Sequence, residues 1–237
     1  MTKVCALSNY TCVRLLFSLM LLTIPAAAGT LFDNFPINGG IDAWTISEGS
    51  SVSDSFVLGS GATVTGVNFG LWLPNGTLGT GAAASIEWSI GTAHSGSSLG
   101  SGTAAVSVAY IGPDGLGLGD GIFDASFSIS GPKPTLVAGT QYYLTLQGYS
   151  DSHDNLGSWD ENDGSHSLHA WSSAVGNITY AAALGCGSTG VGTGTCSESF
   201  QILGDVTAPE PSTWALFGMG ISAILAAFAL RRKAIRG

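Results

Sequence analysis

The sequence predicts an all-β domain, a β-sandwich or jelly roll, followed by one C-terminal transmembrane helix. Three observations carry that expectation. Apolar residues alternate with period 2 in segment after segment. Gly, Asn, Asp and Ser punctuate those segments at near-regular spacing. One uncharged apolar run of 19 residues, 212–230, stands near the end of the chain. Before that run no stretch shows a sustained 3.6-residue apolar stripe with helix caps.

The strands follow in order. Trp44–Glu48 and Val52–Leu58 are short candidates. In the next run Thr63, Thr65, Val67, Phe69, Leu71 and Leu73 occupy one phase, which predicts a long strand. Ile86, Trp88 and Ile90 alternate with Glu87 and Ser89, and Val106, Val108 and Tyr110 repeat the pattern. Phe123, Ala125, Phe127 and Ile129 face away from Asp124, Ser126 and Ser128. In Gln141–Tyr149, Tyr142, Leu144 and Leu146 share a face. Ser167–Ser172, Asn177–Ala181 and Ser199–Leu203 complete about ten strands. Asn75-Gly76 and Gly119-Asp120-Gly121 read as turns. The abundant glycine has no collagen-like period and falls between strands.

Residues 1–28 read as a cleavable signal peptide: Lys3 and Arg14 charge its start, Leu15–Ile24 is its apolar core, and Ala26-Ala27-Ala28 offers small residues for cleavage before Gly29. The segment after it, 29–205, is long enough for one domain with a sizeable core. At the other end, the 212–230 run gives about 28 Å of helix, one hydrocarbon thickness. Trp214 suits the interface, and Arg231, Arg232 and Lys233 form a basic stop that the positive-inside rule keeps in the cytoplasm. The domain therefore lies on the other side of the membrane.

From Gly29 to Ala208 there is one basic residue, Lys133, against fifteen Asp and Glu, a balance of −14. Such a surface excludes nucleic-acid binding, which needs Lys and Arg to displace counterions. It also repels acidic polysaccharide and anionic lipid unless a divalent cation bridges them, and it does not penalise a neutral glycan. Of four cysteines, two remain after signal removal. Cys186 and Cys196 sit in a Gly/Ser/Thr-rich stretch of an exported chain, where a disulfide closing the short loop is expected.

Catalytic motifs fail their own requirements. Gly96-Ser97-Ser98-Leu99-Gly100 matches G-x-S-x-G, but that motif works on a strand-to-helix turn, and no helix follows. His166 and His169 point to opposite faces of a strand, so joint zinc ligation with His153 is disfavoured. Chance carboxylate pairs are expected among fifteen acids, which leaves glycosidase chemistry without a specific pointer. The expectation is a non-enzyme with no catalytic residues, no assigned metal and no cofactor.

The richest binding candidate is the polar segment 151–171. Asp151, Asp154, Asp160, Glu161 and Asp163 crowd together, and acidic loops of this kind can hold calcium. The spacing rejects an EF-hand: the Gly of Asp160-Glu161-Asn162-Asp163-Gly164 comes one residue early, and Trp171 stands where the closing Glu belongs. The bland reading, a solvated acidic loop, outweighs calcium. Most of the tryptophans fill the core. Trp159 and Trp171 flank the polar loop and are the exceptions expected to face a sugar.

Pro209-Glu210-Pro211, with the apolar run and Arg231-Arg232-Lys233 after it, resembles the PEP-CTERM sorting signal of Gram-negative bacteria. The resemblance covers about 30 residues, 206–237. It implies that an exosortase, a membrane-embedded cysteine transpeptidase, recognises Pro209, Glu210 and Pro211. It also implies an association with exopolysaccharide and biofilm. A second resemblance, to β-rich ectodomains of such proteins, rests on Asp33-Asn34, Trp44-Thr45-Ile46, Ser53–Phe56, Gly139–Leu146, Trp159–Gly164 and Phe200–Gly204. It implies a fold and no catalytic residue.

Together these readings describe an exported surface or extracellular-matrix protein. It meets signal peptidase, passes through a single-pass inner-membrane intermediate, is processed by an exosortase and then resides at the cell surface or beyond. The alternative is a calcium-dependent carbohydrate-binding module with Asp151, Asp154, Trp159, Asp160, Asp163 and Trp171 as its site; a secreted hydrolase ranks below both.

Overall fold

The computed structural model describes residues 29–74, 83–94, 99–162, 170–173 (as backbone), 197–207 and 220. The chain divides into two compact units, Met1–Val206 and Thr207–Gly237. The expected signal peptide, Cys186 and Cys196, and the expected 212–230 helix apart from Gly220 lie outside the described residues. Among those residues no helix is long and apolar enough to cross a membrane.

The domain is all-β, as the alternation predicts. Among the described residues thirteen strands run in chain order. They are β1 (Gly29–Asp33), β2 (Asp42–Thr45), β3 (Ser51–Val57), β4 (Ala62–Pro74), β5 (Ala84–Gly91), β6 (Gly100–Pro113), β7 (Asp120–Ser128), β8 (Thr135–Leu136), β9 (Gln141–Asp151), β10 (Ser158–Asn162), β11 (Ala170–Ser173), β12 (Ser197–Glu198) and β13 (Phe200–Val206). They form one curled sheet in place of the two separate sheets of the expected sandwich. The main path is β1-β13-β4-β7-β6-β5-β9-β3-β11, and every pairing is antiparallel.

The long strand β6 makes the fold-over. Its first half, Gly100–Val106, pairs with β5, and its second half, Ser107–Pro113, pairs with β7. The inner faces of the two halves then meet across one core. Trp88 of β5 stacks on Phe127 of β7 at 6.3 Å, and Phe56 of β3 meets Phe200 of β13 edge-on at 6.1 Å. Val52, Phe69, Leu71, Ile86, Ile90, Leu144 and Ile202 fill the space between.

Alternation identifies the inner face correctly in β5, β7 and β9, but not along the whole of β4. Val67, Phe69, Leu71 and Leu73 point inward as expected. Thr63 and Thr65 do not: Ala62 and Val64 take the inner positions there. The phase flips at a bulge. Leu203 of β13 pairs with Gly66 while the next residue, Gly204, pairs with Val64, so Thr65 is unopposed. One extra residue moves every later side chain to the other face. Gly66 is required at this point, because a Cβ there would stand 2.7 Å from the Phe127 carbonyl oxygen. At Tyr110 alternation also gives way to exposure, with the ring edge-on to Phe123 at 5.3 Å.

Candidate functional site

Of the expected site at 151–171, the described residues Asp151, Trp159, Asp160 and Glu161 are buried. Asp151 is buried and closes its own turn. It accepts from the amides of His153 (2.9 Å) and Asn155 (3.1 Å), from Asn155 Nδ2 (2.9 Å) and from the Tyr149 hydroxyl (3.2 Å). Burial raises its carboxyl and these donors pull it back, leaving it below the ordinary Asp range. Burial first, and then the same Asp151, push the Tyr149 phenol well above its usual value. Asp154 and His153 are exposed at the turn, Asp154 with a left-handed φ of 54°. Asp163, His166 and His169 lie outside the described residues, as does the Trp171 side chain; its backbone pairs with Ser53.

Trp159 is the clearest correction. It is fully buried, edge-on to Phe200 at 5.6 Å and to Phe69 at 6.5 Å, and its indole nitrogen donates to the Ser199 carbonyl at 3.0 Å. No face is left for a sugar. The cause is topological. β10 pairs with β2, β4 and β12, so a segment that reads as a polar loop is an interior strand covered on both sides.

Asp160 points to the other side of β10, under the Asn38–Gly39 turn. Its Oδ1 accepts from the Trp72 indole (2.6 Å) and the Gly39 amide (3.1 Å), and its Oδ2 from the Asn38 amide (3.2 Å). Burial raises its carboxyl above the ordinary Asp range, and these donors oppose the rise. Gly70 makes room for it: a Cβ there would lie 2.5 Å from Asp160 Cβ. This acid is a structural fixture and has no open side for calcium.

The structure instead brings together residues that sequence reasoning missed. Asp54, Glu161 and Glu198 are all buried between the two halves of the sheet. Glu161 and Glu198 are direct cross-strand partners. Asp54 of β3 reaches them from the facing half: its Oδ2 accepts from the Glu198 amide at 2.9 Å and from the Ser197 hydroxyl. Asn34, just after β1, donates from Nδ2 to Ser197 Oγ (2.6 Å) and to the Glu198 carbonyl. Asn162 Nδ2 in turn donates to the Asn34 carbonyl. Neither carboxyl oxygen of Glu198 has a hydrogen-bond partner among the described residues, nor has Asn34 Oδ1. Burial first, then the neighbouring Asp54 and Glu161, push the Glu198 carboxyl well above the ordinary Glu range.

A readable signal for this group existed. Asp54 is in phase with Val52 and Phe56, Glu161 with Trp159, and Glu198 with Phe200 and Ile202. Each acid therefore occupies a core-facing position of its strand.

On the outer face of the β5–β6–β9 region lies an open groove of about 340 Å³, lined by Glu87, Ser89, Ser101, Thr103, Thr145 and Gln147. Gln147 Nε2 donates to Glu87 Oε2 at 2.9 Å. Among the described residues no group of three His, Cys, Asp or Glu side chains is placed to hold a metal ion.

Beyond the domain, residues 207–233 match the family model of the PEP-CTERM protein-sorting motif. The chain therefore carries that motif, on the stretch where Pro209, Glu210, Pro211 and Arg231-Arg232-Lys233 pointed to it. The motif implies exosortase processing, export and a membrane-anchored intermediate. A search of the curated proteins finds no match.

Proposed function

We propose that this is a non-enzymatic exported protein whose β domain is released to the cell surface or the extracellular matrix after exosortase processing, there to associate with exopolysaccharide. The observation that carries the reading is the sorting motif at 207–233, placed directly after an all-β domain. Signal peptidase acts at the other end, before Gly29. The domain supports a spacing or binding role better than catalysis. Among the described residues its most buried acids are held as structural fixtures or enclosed in the core.

A carbohydrate-binding role is supported by the groove lined by Glu87, Ser89, Ser101, Thr103, Thr145 and Gln147. It offers hydroxyl, amide and carboxylate partners, which suit the hydroxyls of a neutral glycan. It replaces the Trp159 surface as the place to look.

The experiment on the main reading changes Pro209, Glu210 and Pro211 together to Ala in the producing cell. The mature protein's mass and C-terminus are then read by mass spectrometry. Loss of C-terminal processing and retention of the chain in the membrane fraction are the expected results. Normal processing of the triple variant would defeat the assignment of those residues as the recognition element.

A further inference from the structure

We propose that the groove on the outer face of β5, β6 and β9 continues across β6 into a second groove, and that the two together hold an extended stretch of a neutral polysaccharide chain. The inference rests on the carbohydrate-binding reading above and adds the course, length and charge of the ligand.

The second groove follows from a change of partner. Along Gly100–Val106 strand β6 pairs with β5, and from Ser107 onward it pairs with β7. Phe127 and Ser128 of β7 run on past that point, paired with β4. The two strands therefore diverge from the Ser107–Ser126 pair, and the space they leave is an open groove of about 420 Å³. Asn68, Thr103, Ala105, Ser107, Ser126 and Ser128 are among its lining residues. Thr103 also lines the first groove, so the two meet there. From Gln147 on β9 to Asn68 on β4 the path crosses β5, β6 and β7. Its strand spacings make it about 19 Å long, more than one or two sugar units fill.

Charge selects the class of chain. Of the residues lining the two grooves Glu87 alone is charged, in a segment, 29–208, that holds fifteen Asp and Glu. A uronate or phosphate group meets no cation on this path and is repelled by the net charge of the domain. A neutral chain meets serine and threonine hydroxyls and side-chain amides, which donate and accept as its own hydroxyls do.

Each end of the path carries an amide held in place. Gln147 Nε2 donates to Glu87 Oε2 at 2.9 Å, and Asn68 Nδ2 donates to Gln201 Oε1 at 3.1 Å. Each bond orients its amide with one N–H and leaves the rest of the amide to a ligand. Trp88 and Phe127, the aromatic residues that line the grooves, are buried and stack on each other in the core. Recognition then comes from hydrogen bonds. Each is modest alone, so affinity accumulates with the length of chain bound.

The test uses the full-length chain in a detergent without a sugar headgroup. Titration calorimetry compares linear neutral hexasaccharides of glucose, mannose and galactose with their trisaccharides, and with hexagalacturonate as the charged counterpart. At least one neutral hexasaccharide is expected to bind, about tenfold or more tighter than its trisaccharide, and hexagalacturonate is expected not to bind. Gln147→Ala and Asn68→Ala, at opposite ends of the path, should each weaken that hexasaccharide about 3- to 10-fold. If either variant fails to fold, Thr103→Leu at the junction carries the test with the same expected loss. Equal affinity for trisaccharide and hexasaccharide would overturn the two-groove path and leave the carbohydrate reading standing. So would a hexasaccharide indifferent to Gln147→Ala or to Asn68→Ala. Binding of hexagalacturonate as tight as that of the neutral chains would overturn the charge assignment. No binding of any neutral hexasaccharide would overturn both this inference and the carbohydrate reading beneath it.

Discussion

The two sides of β10 carry adjacent acids with opposite fates. On the outer side Asp160 is surrounded by donors: an indole N–H and two backbone amides reach its two oxygens. On the inner side Glu161 faces Glu198 and Asp54, and Glu198 meets other carboxylates in place of donors. Burial alone does not distinguish them, since Asp160 and Glu198 are both fully buried. The difference is what the surrounding backbone offers. A turn whose amides point at a carboxylate makes that acid part of the fold's hydrogen bonding. A facing strand that brings more carboxylates leaves the acid dependent on something added from outside, a proton.

The largest effect should come from breaking the satisfied side. Asp160→Ala leaves the buried Trp72 indole and Gly39 amide, and the part-buried Asn38 amide, without an acceptor. Each such group costs about 1–3 kcal/mol, so a loss of about 3 kcal/mol is expected. For a domain of this size that corresponds to a fall in Tm of about 6–12 °C. Calorimetry checks it, and a change under about 2 °C would show that water replaces the carboxylate there.

Next in size is the pH response of the unsatisfied side. The folded Glu198 carboxyl lies well above its unfolded value of 4.5, because of burial and then the charges of Asp54 from β3 and Glu161 from β10. Native protein therefore holds a proton that unfolded chain releases. That stabilisation is complete below about pH 4.5 and is lost as pH rises toward the folded value. The wild type should melt at progressively lower temperature as pH rises above 5. Glu198→Gln should melt with a flatter profile across the same range. Parallel profiles would show that the slope comes from another group, Asp160 being the first to examine because its carboxyl is raised too.

Sequence made the strands legible where one face meets the core and the other meets solvent. Ile86-Glu87-Trp88-Ser89-Ile90 is such a strand, and its burial follows the letters. Legibility fails where that asymmetry disappears. Trp159-Asp160-Glu161-Asn162 is covered on both sides, so polar residues occupy buried positions and the run resembles a loop. It also fails at the β4 bulge, where one unopposed threonine reverses the phase that period-2 reading assumes to be constant. The sorting motif was legible for a different reason: it is defined by order along the chain, and no folding is needed to recognise it. The interior acids combine both conditions. Their phase placed each on a core face, but only the pairing of β10 with β12 and the fold-over through β6 bring three such faces together.

A third acid sharpens the comparison with the smallest perturbation. Asp114, in the turn between β6 and β7, accepts from four backbone amides: Leu116 and Leu118 at 2.9 Å on Oδ1, Gly119 at 2.9 Å and Asp120 at 2.8 Å on Oδ2. The Leu118 amide foremost, then those of Asp120, Gly119 and Leu116, holds its carboxyl below the ordinary Asp range against some opposing burial. It extends the Asp160 pattern to the rim of the fold, where the donors belong to one local turn instead of bridging strands. Asp114→Ala should therefore release the turn and leave the core intact. Hydrogen exchange at those four amides should accelerate, while global Tm changes less than in the Asp160 or Glu198 variants. The sign with pH is opposite to that of Glu198. A lowered carboxyl stabilises above the ordinary Asp range and loses that contribution as pH falls, so the wild-type turn should lose its protection only in acid. If exchange in Asp114→Ala matches wild type at neutral pH, the four amides are held by the hairpin itself. The carboxylate then follows the turn and does not build it.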